Sequence, residues 1–318
     1  MTSPTVVIIA PEADAHAQVV AKRLEALGGR GVILDSALFP SQWRLTMRLS
    51  NDAPVRYVLQ RDEMALDEDD VAGVWWRRPR QYLAPGPVAE SHLRQFIVQE
   101  AREAFEGWLH CLGNKVINPI DADLAGAHKL LQLQHATAVG LRIPETLATN
   151  VPEAVEPFCE SIGRSTVFKP FTGADWQFIG TQRLAQDSIG HLDCVAYSPV
   201  IFQEEVEKVA DVRVNIIDGN VFPVIIRSKR GDTPLDWRID PDREYSSHEL
   251  PRDVWSALVT LLTRLGLRFG ACDLALTKEG EYVFFEVNPG GQWLFAEIMT
   301  GQELSWAFAR ALLGSLDV

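Results

Sequence analysis

The feature that most constrains the fold is a predicted β-hairpin near the end of the chain. Residues 269–289 read FGACDLALTKEGEYVFFEVNP, two apolar runs around a turn at residues 278–281. Successive side chains of a β-strand point to opposite faces. One face of the second strand is therefore predicted to be buried and to carry Phe285 and Val287. The other face is predicted to carry Phe284, Glu286 and Asn288.

The polar positions of this hairpin favour a metal site. Asp273 lies in the first apolar run, where an unpaired carboxylate is costly to bury. Asp273, Glu286 and Asn288 offer three hard oxygen ligands, which suit Mg²⁺ when substrate phosphates supply the remaining ligands. The alternative is structural, because Asn-Pro-Gly-Gly is an ordinary turn sequence and a single glutamate before it can be solvated. Asp273 on the partner strand favours the metal.

The composition excludes several classes of function. With 318 residues, 47% of them hydrophobic, the chain predicts a soluble globular protein of about two domains, or three small ones. The net charge of −13 argues against nucleic acid as the main partner, because phosphate neutralisation needs a basic face. No apolar run is long enough to span a bilayer, and the start does not resemble a signal peptide. The 4 cysteines form no metal-ligand pattern, and we expect a cytoplasmic protein.

The first third of the chain predicts an open α/β domain. TVVIIA, a helix over about residues 15–27 and GVILD form a β-α-β opening. Strands are predicted at QWRLTMRL, VRYVLQ and GVWWRR, and a helix over about residues 88–111 precedes KVINP. The opening has no GxGxxG turn, so a dinucleotide-binding fold is not supported. We place this N-terminal domain at residues 1–118.

The remaining chain is predicted to form two further lobes. A central lobe, residues 119–204, has helices over residues 128–140 and 151–162, with strands at TVFKP, WQFIGTQ and VIFQEEVE. A β-rich C-terminal lobe covers residues 205–318. Its helices are predicted at about residues 252–265 and 304–313.

Basic side chains at strand positions predict a phosphate site. Lys169 ends the apolar strand TVFKP, where a phosphate oxygen is a natural partner for its charge. Arg213 and Arg227 lie on two strands of a hairpin predicted around residues 218–220. Together with Mg²⁺, these cations supply the positive charge that phosphoryl transfer requires. The alternatives are a snorkelling strand-end lysine and exposed cross-strand arginines. Lys129, which opens a predicted helix, can equally be a solvated residue.

The order of these motifs resembles that of the ATP-grasp ligases. Lysines at two points, an apolar-QEE connector, arginines on the next strands and a late Asp…Glu-x-Asn follow one another along the chain. Within these ligases, the chain resembles the graspetide maturases, which modify ribosomal peptides such as microviridin. The motifs that carry this resemblance are GVWWRRP, AHKLLQ, GLRIPETLATN, VFKP, the DWR triplet and FFEVNPGGQW. The GVWWRRP motif is most similar to the actinobacterial members. The resemblance covers almost the whole chain.

The resemblance implies an ATP-grasp fold of the α/β class, with an N-terminal open α/β domain, a small central lobe and a β-rich C-terminal lobe. ATP would lie between the last two lobes. The residues implied in ATP binding are Lys129 and Lys169 at the phosphates, Gln203, Glu204, Glu205 and Val206 at the adenine, and Glu207 or Asp211 at the ribose. Those implied in catalysis are Arg213 and Arg227, which would stabilise the transferring γ-phosphate, and Arg238. The implied magnesium ligands are Asp273, Glu286 and Asn288, with Glu286 between two ions.

The resemblance also implies the reaction and the partners. A side-chain carboxylate of a ribosomal precursor peptide would attack the γ-phosphate of ATP and become an acyl phosphate. A hydroxyl or amine of the same peptide would then displace phosphate and close an ester or amide ring. The precursor would carry a leader, recognised separately, and an acidic, threonine-rich core. The enzyme would be a homodimer.

Two motifs are assigned to the peptide substrate. Arg77 or Arg78, in GVWWRRP, would receive an acidic side chain of the core. Asp236 and Trp237, with Arg238, would lie near the phosphates or the core peptide. The alternatives are core tryptophans followed by solvated arginines in the first motif, and a structural loop in the second.

Two other functions would share the same nucleotide site. One is an ATP-grasp ligase that adds an amino acid to the end of a peptide or protein, although GVWWRRP and NPGGQW favour cyclisation. The other is a non-catalytic peptide-binding scaffold on a degenerate ATP-grasp fold. The intact lysines and metal-ligand residues argue against the scaffold.

Overall fold

The computed structural model describes residues 3–163, 165–172, 179–230 and 234–314, with the main chain alone at residues 186 and 187. Its first part is built on a parallel sheet with the strand order β2-β1-β6-β7. The elements of this part are β1 (Thr5–Ile9), α1 (Ala15–Ala26), β2 (Arg30–Leu34), β3 (Arg44–Arg48), β4 (Arg56–Arg61), β5 (Met64–Asp67), β6 (Val71–Trp76), α2 (Ser91–Cys111) and β7 (Val116–Ile117). All five residues of β1 are buried, as expected for a strand inside a parallel sheet.

The β-α-β opening predicted from the sequence is confirmed. Strands β3 and β4 also occur where they were predicted, but they pair with β5 in a separate antiparallel sheet. The sequence interpretation missed β5. This strand has only four residues, and only Leu66 within it is buried, so its apolar alternation is too short to identify.

The central part of the chain holds an antiparallel sheet with the strand order β10-β9-β11-β8. Its elements are α3 (Ile120–Gly126), α4 (Lys129–Ala138), β8 (Thr146–Thr149), α5 (Val155–Ile162), β9 (Thr166–Lys169), β10 (Gln182–Arg183) and β11 (Val200–Glu204). The predicted helix over residues 128–140 is α4, and TVFKP is β9. Residues 173–178, which include the first three residues of the predicted strand WQFIGTQ, lie outside the described residues.

The C-terminal part is built on a five-stranded antiparallel sheet with the order β14-β13-β12-β15-β16. Its elements are β12 (Ala210–Ile217), β13 (Asn220–Ser228), β14 (Arg243–Ser247), α6 (Arg252–Arg264), β15 (Phe269–Leu276), β16 (Tyr282–Asn288), α7 (Leu294–Thr300) and α8 (Leu304–Leu313). Both predicted hairpins are confirmed. The turn between β12 and β13 places Asp218 at φ +44° and Gly219 at φ +80°, which Asp and Gly tolerate best.

A β-bulge corrects the predicted alternation in β16. Asp273 pairs with Glu286, but Leu274 pairs with Phe284, so Phe285 is an extra residue. Phe284 is consequently fully buried in the core, whereas the sequence placed it on the polar face. The prediction that Glu286 and Asn288 share a face is confirmed, because Glu286 and Asn288 pair with alternate residues of β15.

The C-terminal helix joins the first sheet to the last. Helix α8 packs against α1 and β6, and its Phe308 contacts Trp75 of β6 and Trp293 at ring-centroid distances of 4.6 and 5.0 Å. A Cβ atom at Gly73 would lie 2.2 Å from the carbonyl oxygen of Leu312, so only glycine permits this approach. The N-terminal and C-terminal parts therefore share one hydrophobic core.

No helix in the described part of the chain combines the length and the apolar character that crossing a membrane requires.

Candidate active site

A cavity of about 340 Å³ lies between the central sheet and the five-stranded sheet. The side chains of β9 and β11 form one wall, and those of β12, β15 and β16 form the other. The cavity brings together twelve residues predicted from the sequence: Lys129, Lys169, Gln203, Glu204, Glu205, Val206, Asp211, Asp236, Trp237, Arg238, Asp273 and Glu286. Motifs that are far apart in the sequence therefore line one continuous surface.

A row of charged side chains crosses one end of this cavity. Arg213, Asp273 and Glu286 are direct neighbours on β12, β15 and β16. Arg213 Nη1 lies 3.2 Å from Asp273 Oδ2, and Lys129 Nζ forms an ion pair with Glu286 Oε2. We call these four residues the charged row. Each carboxylate has a cation beside it, which offsets the cost of burying the acids.

The two carboxylates of the charged row differ in their proton affinity. Burial raises the pKa of Asp273, although the Arg213 guanidinium opposes the shift. Burial acts in the same direction at Glu286, but Lys129 and Lys169 outweigh it and hold the pKa of that carboxyl below its usual range. Glu286 is therefore the stronger anionic position for binding a cation.

The charged row fits a magnesium site in its donor set. Asp273 and Glu286 supply two carboxylates, and Asn288 follows on the same face of β16. The side-chain Oδ1 of Asn288 accepts a hydrogen bond from the N–H of Gly290 at 3.1 Å. Among the described residues no group of three or more His, Cys, Asp or Glu could hold a metal alone. This donor set suits an ion that takes its other ligands from phosphate oxygens.

Lys169 adds a cation on the opposite wall. It lies at the end of β9, paired with Ile201 of β11, and its side chain lines the cavity. Burial lowers the pKa of Lys169 to about 8, with Glu286 opposing the shift and Lys129 adding to it. Because burial makes this ammonium group costly to charge, an anionic ligand beside it would stabilise its charged form strongly.

The segment from Gln203 to Val206 forms the far wall of the cavity. Its side chains are held in place: Gln203 donates to Thr146 Oγ1 at 2.9 Å, and Glu205 accepts from Nε and Nη2 of Arg183. The N–H of Val206 makes no hydrogen bond to any residue in the described ranges. This wall thus offers main-chain groups rather than mobile side chains to a ligand.

A buried ion pair beside this wall was not predicted as a pair. Lys208 Nζ lies 2.6 Å from Asp211 Oδ1 and donates to the carbonyl oxygen of Leu235 at 3.0 Å. Burial raises the pKa of Asp211 to about 6, although Lys208 opposes it. Lys208 and Phe285 both line the cavity and were missed by the sequence analysis. Lysine is scarce in this chain, which could have drawn attention to Lys208. Phe285 was missed because the bulge breaks the strict alternation on which the prediction relied.

The DWR triplet lies in the cavity wall, as expected for a role near the phosphates or the peptide. Arg238 donates to both carboxylate oxygens of Asp236, with Nε–Oδ1 and Nη2–Oδ2 distances of 2.8 and 2.6 Å. The guanidinium groups of Arg213 and Arg243 lie 5.9 and 5.5 Å from the ring of Trp237. Trp237 therefore contacts both Arg213 of the charged row and Arg243 of β14.

Of the residues predicted to bind ATP or the γ-phosphate, Arg227 and Glu207 lie away from both the cavity and the charged row. Arg227 is exposed, and it is three residues beyond Val224, the partner of Arg213, so its side chain points to the opposite face of the sheet. It lines a separate recess of about 320 Å³ at the β14 edge, which we call the edge recess. Glu207 is exposed and pairs with Lys278 at 3.5 Å, which leaves Asp211 as the acid beside the cavity.

The two arginines of GVWWRRP have different environments. Arg77 is 4% exposed, and its Nη1 donates to the carbonyl oxygens of Gly290 and Gly291 at 2.8 and 3.1 Å. This burial opposes the predicted contact between Arg77 and a peptide. The side chain of Arg78 is exposed and has no partner among the described residues, so the peptide contact stays a prediction for Arg78.

Known proteins with a similar sequence or fold indicate which kind of enzyme this chain resembles. A family model described as the MvdD pre-ATP grasp domain matches residues 5–123. No curated protein matches the chain in sequence. The macrocyclase MdnC from Microcystis aeruginosa MRC, bound with its precursor peptide MdnA, is 26% identical with a TM-score of 0.83, covering 98% of this chain and 99% of that chain. The macrocyclase MdnB from the same organism is 29% identical with a TM-score of 0.79 and the same coverage.

A third structure agrees in fold alone. The RiPP-associated ATP-grasp ligase of Chryseobacterium gregarium, in complex with ADP and with a leader and core peptide, is 23% identical. Its TM-score is 0.87, and the match covers 99% of this chain and 98% of that chain.

The fold and the cavity resemble those of the ATP-grasp ligases. Within that class the chain resembles, over nearly its whole length, the ATP-grasp macrocyclases of ribosomal peptides. The resemblance predicted from the sequence motifs is confirmed. The placement among the actinobacterial members stays a prediction.

Proposed function

We propose that this protein is an ATP-dependent macrocyclase of a ribosomally made precursor peptide. One observation carries the proposal: the charged row closes one end of a cavity whose other wall offers main-chain groups, on a fold similar to MdnC and MdnB. Cations and carboxylates that converge in this way suit the transfer of a phosphoryl group from ATP.

The residues of the cavity divide into three roles. Lys129 and Lys169 bind the nucleotide phosphates, and the residues from Gln203 to Val206 contact the adenine. The N–H of Val206, which has no hydrogen-bond partner in the described part of the chain, is available to a ring nitrogen. Asp211 takes the ribose. Asp273, Glu286 and Asn288 would hold the magnesium ions, which would neutralise the phosphate charge as Lewis acids when bound.

The chemistry has two balanced steps. A carboxylate oxygen of an Asp or Glu side chain of the peptide attacks the γ-phosphorus, the bond to the β-phosphate oxygen breaks, and ADP leaves. A Thr or Ser hydroxyl, or a Lys amine, then attacks the acyl carbon, loses its proton and expels inorganic phosphate. Each ring thus removes the elements of one water from the peptide and forms an ester or an amide.

Arg213 and Arg238 stabilise the transferring phosphoryl group. Arg213 is anchored beside Asp273, and Arg238 is anchored on Asp236, so both are oriented before ATP arrives. Arg227, for which the same role was predicted, points away from this cavity. The γ-phosphate is therefore assigned to Arg213 and Arg238 and not to Arg227.

The proposed substrate is a precursor with a leader and an acidic, threonine-rich core, and the proposed enzyme is a cytoplasmic homodimer. Support for the peptide comes from the peptide complexes of the similar structures. We propose the cytoplasm because ATP and ribosomal precursors occur there. The N-terminal domain, central lobe and C-terminal lobe are placed at residues 1–118, 119–204 and 205–318.

The test takes as candidate precursor any short acidic, threonine-rich peptide encoded next to the gene of this protein, and incubates it with enzyme, ATP and Mg²⁺. We expect a ladder of products that differ by one water each, together with ADP and phosphate. A mass increase equal to an amino acid would instead identify a ligase that extends peptide ends. Peptide binding without ADP release would identify a scaffold.

A further inference from the structure

The turn after β16, the strand that carries Glu286 and Asn288, is held by side chains from the N-terminal part of the chain. The three carbonyl oxygens of Pro289, Gly290 and Gly291 each accept a hydrogen bond from Arg77 or Asn118. The donor atoms are Nη1 of Arg77 and Nδ2 of Asn118, at distances of 2.8–3.3 Å.

The start of α7, directly after this turn, is held in the same way. The N–H groups of Trp293 and Leu294 both donate to Nε2 of His16 at 3.1 Å. Burial, with the Arg77 charge adding to it, lowers the pKa of His16 to about 4, so the imidazole is neutral and can accept. Three side chains from outside the C-terminal sheet thus fix five main-chain groups within six residues.

The remaining contacts of the turn point back to Asn288. The N–H of Gly290 donates to its side-chain Oδ1 at 3.1 Å, and the N–H of Gly291 donates to its carbonyl oxygen at 3.2 Å. A Cβ atom at Gly291 would lie 2.4 Å from the Cβ of Ala271, the residue that pairs with Asn288. The turn therefore has little freedom to move without moving the Asn288 carboxamide.

We propose that Arg77, Asn118 and His16 are positioning residues that hold the Asn288 carboxamide in place for the magnesium ion. This inference rests on the proposed metal site but not on the peptide reaction. Arg77 makes the largest contribution, because one guanidinium nitrogen binds two successive carbonyl oxygens. The N-terminal part of the chain acts on the metal site through the main chain of the turn and touches neither metal nor nucleotide.

The first experiment measures metal affinity rather than turnover. Mn²⁺ serves as the probe, and electron paramagnetic resonance counts bound Mn²⁺ at saturating ADP without any peptide. We expect Arg77→Lys to weaken Mn²⁺ binding about ten- to a hundredfold, as loss of an outer-sphere partner does, with ADP affinity in the absence of metal unchanged. Lysine keeps the charge but lacks the rigid planar fork of the guanidinium.

The matched control is Arg80→Lys. Arg80 is three residues further along the chain and pairs with Asp35, away from the turn. We expect this variant to bind Mn²⁺ like the wild type. A folded Arg77→Lys protein with wild-type Mn²⁺ affinity would overturn the inference.

A second pair of variants keeps the test valid if Arg77→Lys does not fold. Gly291→Ala forces the turn away from Ala271, whereas a Cβ atom at Gly290 would meet its nearest neighbours at 3.9 Å. Neither glycine needs a positive φ. We expect Gly291→Ala to lose Mn²⁺ affinity and Gly290→Ala to keep it. Equal affinities in the two variants would contradict the proposal.

A double-mutant cycle shows whether Arg77 acts through Asn288. If it does, Arg77→Lys should change Mn²⁺ affinity by less than about twofold in the Asn288→Ala background. A full loss in that background would place the effect elsewhere and reject the inference. If Asn288→Ala keeps wild-type affinity while Glu286→Gln loses it, the positioning role fails but the proposed function stands.

Discussion

Apart from Lys129 of α4, the charged row lies on the same five-stranded sheet as the edge recess, yet the charges of the two regions are arranged differently. In the row, Arg213 and Lys129 are paired with carboxylates inside a cavity. In the recess, Arg227 is exposed and has no partner among the described residues, while Lys229 pairs with Glu244 at the surface. Both regions are rich in charge, but only the row has the burial and pairing that make charges energetically important.

The difference arises from a small change in sequence position. Arg213 and Arg227 belong to the same hairpin and have similar apolar neighbours along the chain. The partner of Arg213 is Val224, and the odd separation of three residues puts Arg227 on the other face. Strand pairing, rather than residue type, therefore decides which arginine faces the proposed ATP site. Three of the following predictions test the cavity side of this contrast, and one concerns an exposed arginine elsewhere.

The largest effect is expected at the centre of the charged row. Glu286→Gln removes the anion that lies between Lys129 and the proposed metal ions, and we expect the rate of peptide modification to fall at least about a thousandfold. Product masses and ADP release measure this rate. Peptide affinity and thermal stability serve as controls, and a variant near the wild-type rate would remove Glu286 from the site.

The next effect compares the two arginines directly. Arg213→Gln should lower the rate about a hundredfold or more, as does the loss of one charge-stabilising donor in an active site. Arg227→Gln is the matched control and should stay within about twofold, because an exposed charge contributes little. Steady-state ADP release with both variants measures the contrast. Similar losses at both positions would show that Arg227 reaches the phosphates after all.

A smaller effect is expected at Arg78, an exposed arginine outside both regions. Arg78→Lys replaces a bidentate contact to an acidic core side chain and should cost about 1.5–3 kcal/mol, or about ten- to a hundredfold in modification rate. Affinity for the isolated leader, measured by fluorescence anisotropy, should not change. An equal loss of leader affinity would move Arg78 to leader recognition, and full activity would make it a solvated residue.

The smallest effect is a pH dependence at Lys169. Its pKa of about 8 means that the side chain is protonated at pH 7 and mostly neutral at pH 9. Because the phosphates bind the protonated form, ADP affinity should fall about tenfold over that interval, with proton uptake on binding above pH 8. Calorimetry in buffers of different ionisation enthalpy measures both quantities. Lys169→Met should abolish the dependence, and an unchanged pH profile in that variant would assign it to another group.

Much of the site could be predicted because its residues are carried by regular strands. Asp273, Glu286 and Asn288 follow from alternation within one hairpin, and Lys169 follows from the end of an apolar strand. The bulge at Phe285 could not be predicted, because an extra residue in a strand leaves the apolar pattern intact. Strict alternation therefore predicts the shared face of Glu286 and Asn288 correctly, but it wrongly places Phe284 on the polar face and Phe285 in the core.

The role of Arg77 could not be predicted for a different reason. Its partners, Gly290 and Gly291, are about two hundred residues away in sequence, and they bind it through carbonyl oxygens that every residue possesses. A contact of this kind leaves no trace in residue type. The sequence analysis therefore assigned Arg77 to the peptide together with its exposed neighbour, Arg78.

The packing of α8 has a consequence for how the protein is made. The face of β6 that carries Trp75 is covered by Phe308 and Leu312, which the ribosome adds more than two hundred residues later. Until then the N-terminal sheet exposes an apolar face, and its folding cannot be completed during synthesis of its own strands. We expect a chain arrested before residue 304 to bind chaperones through this face.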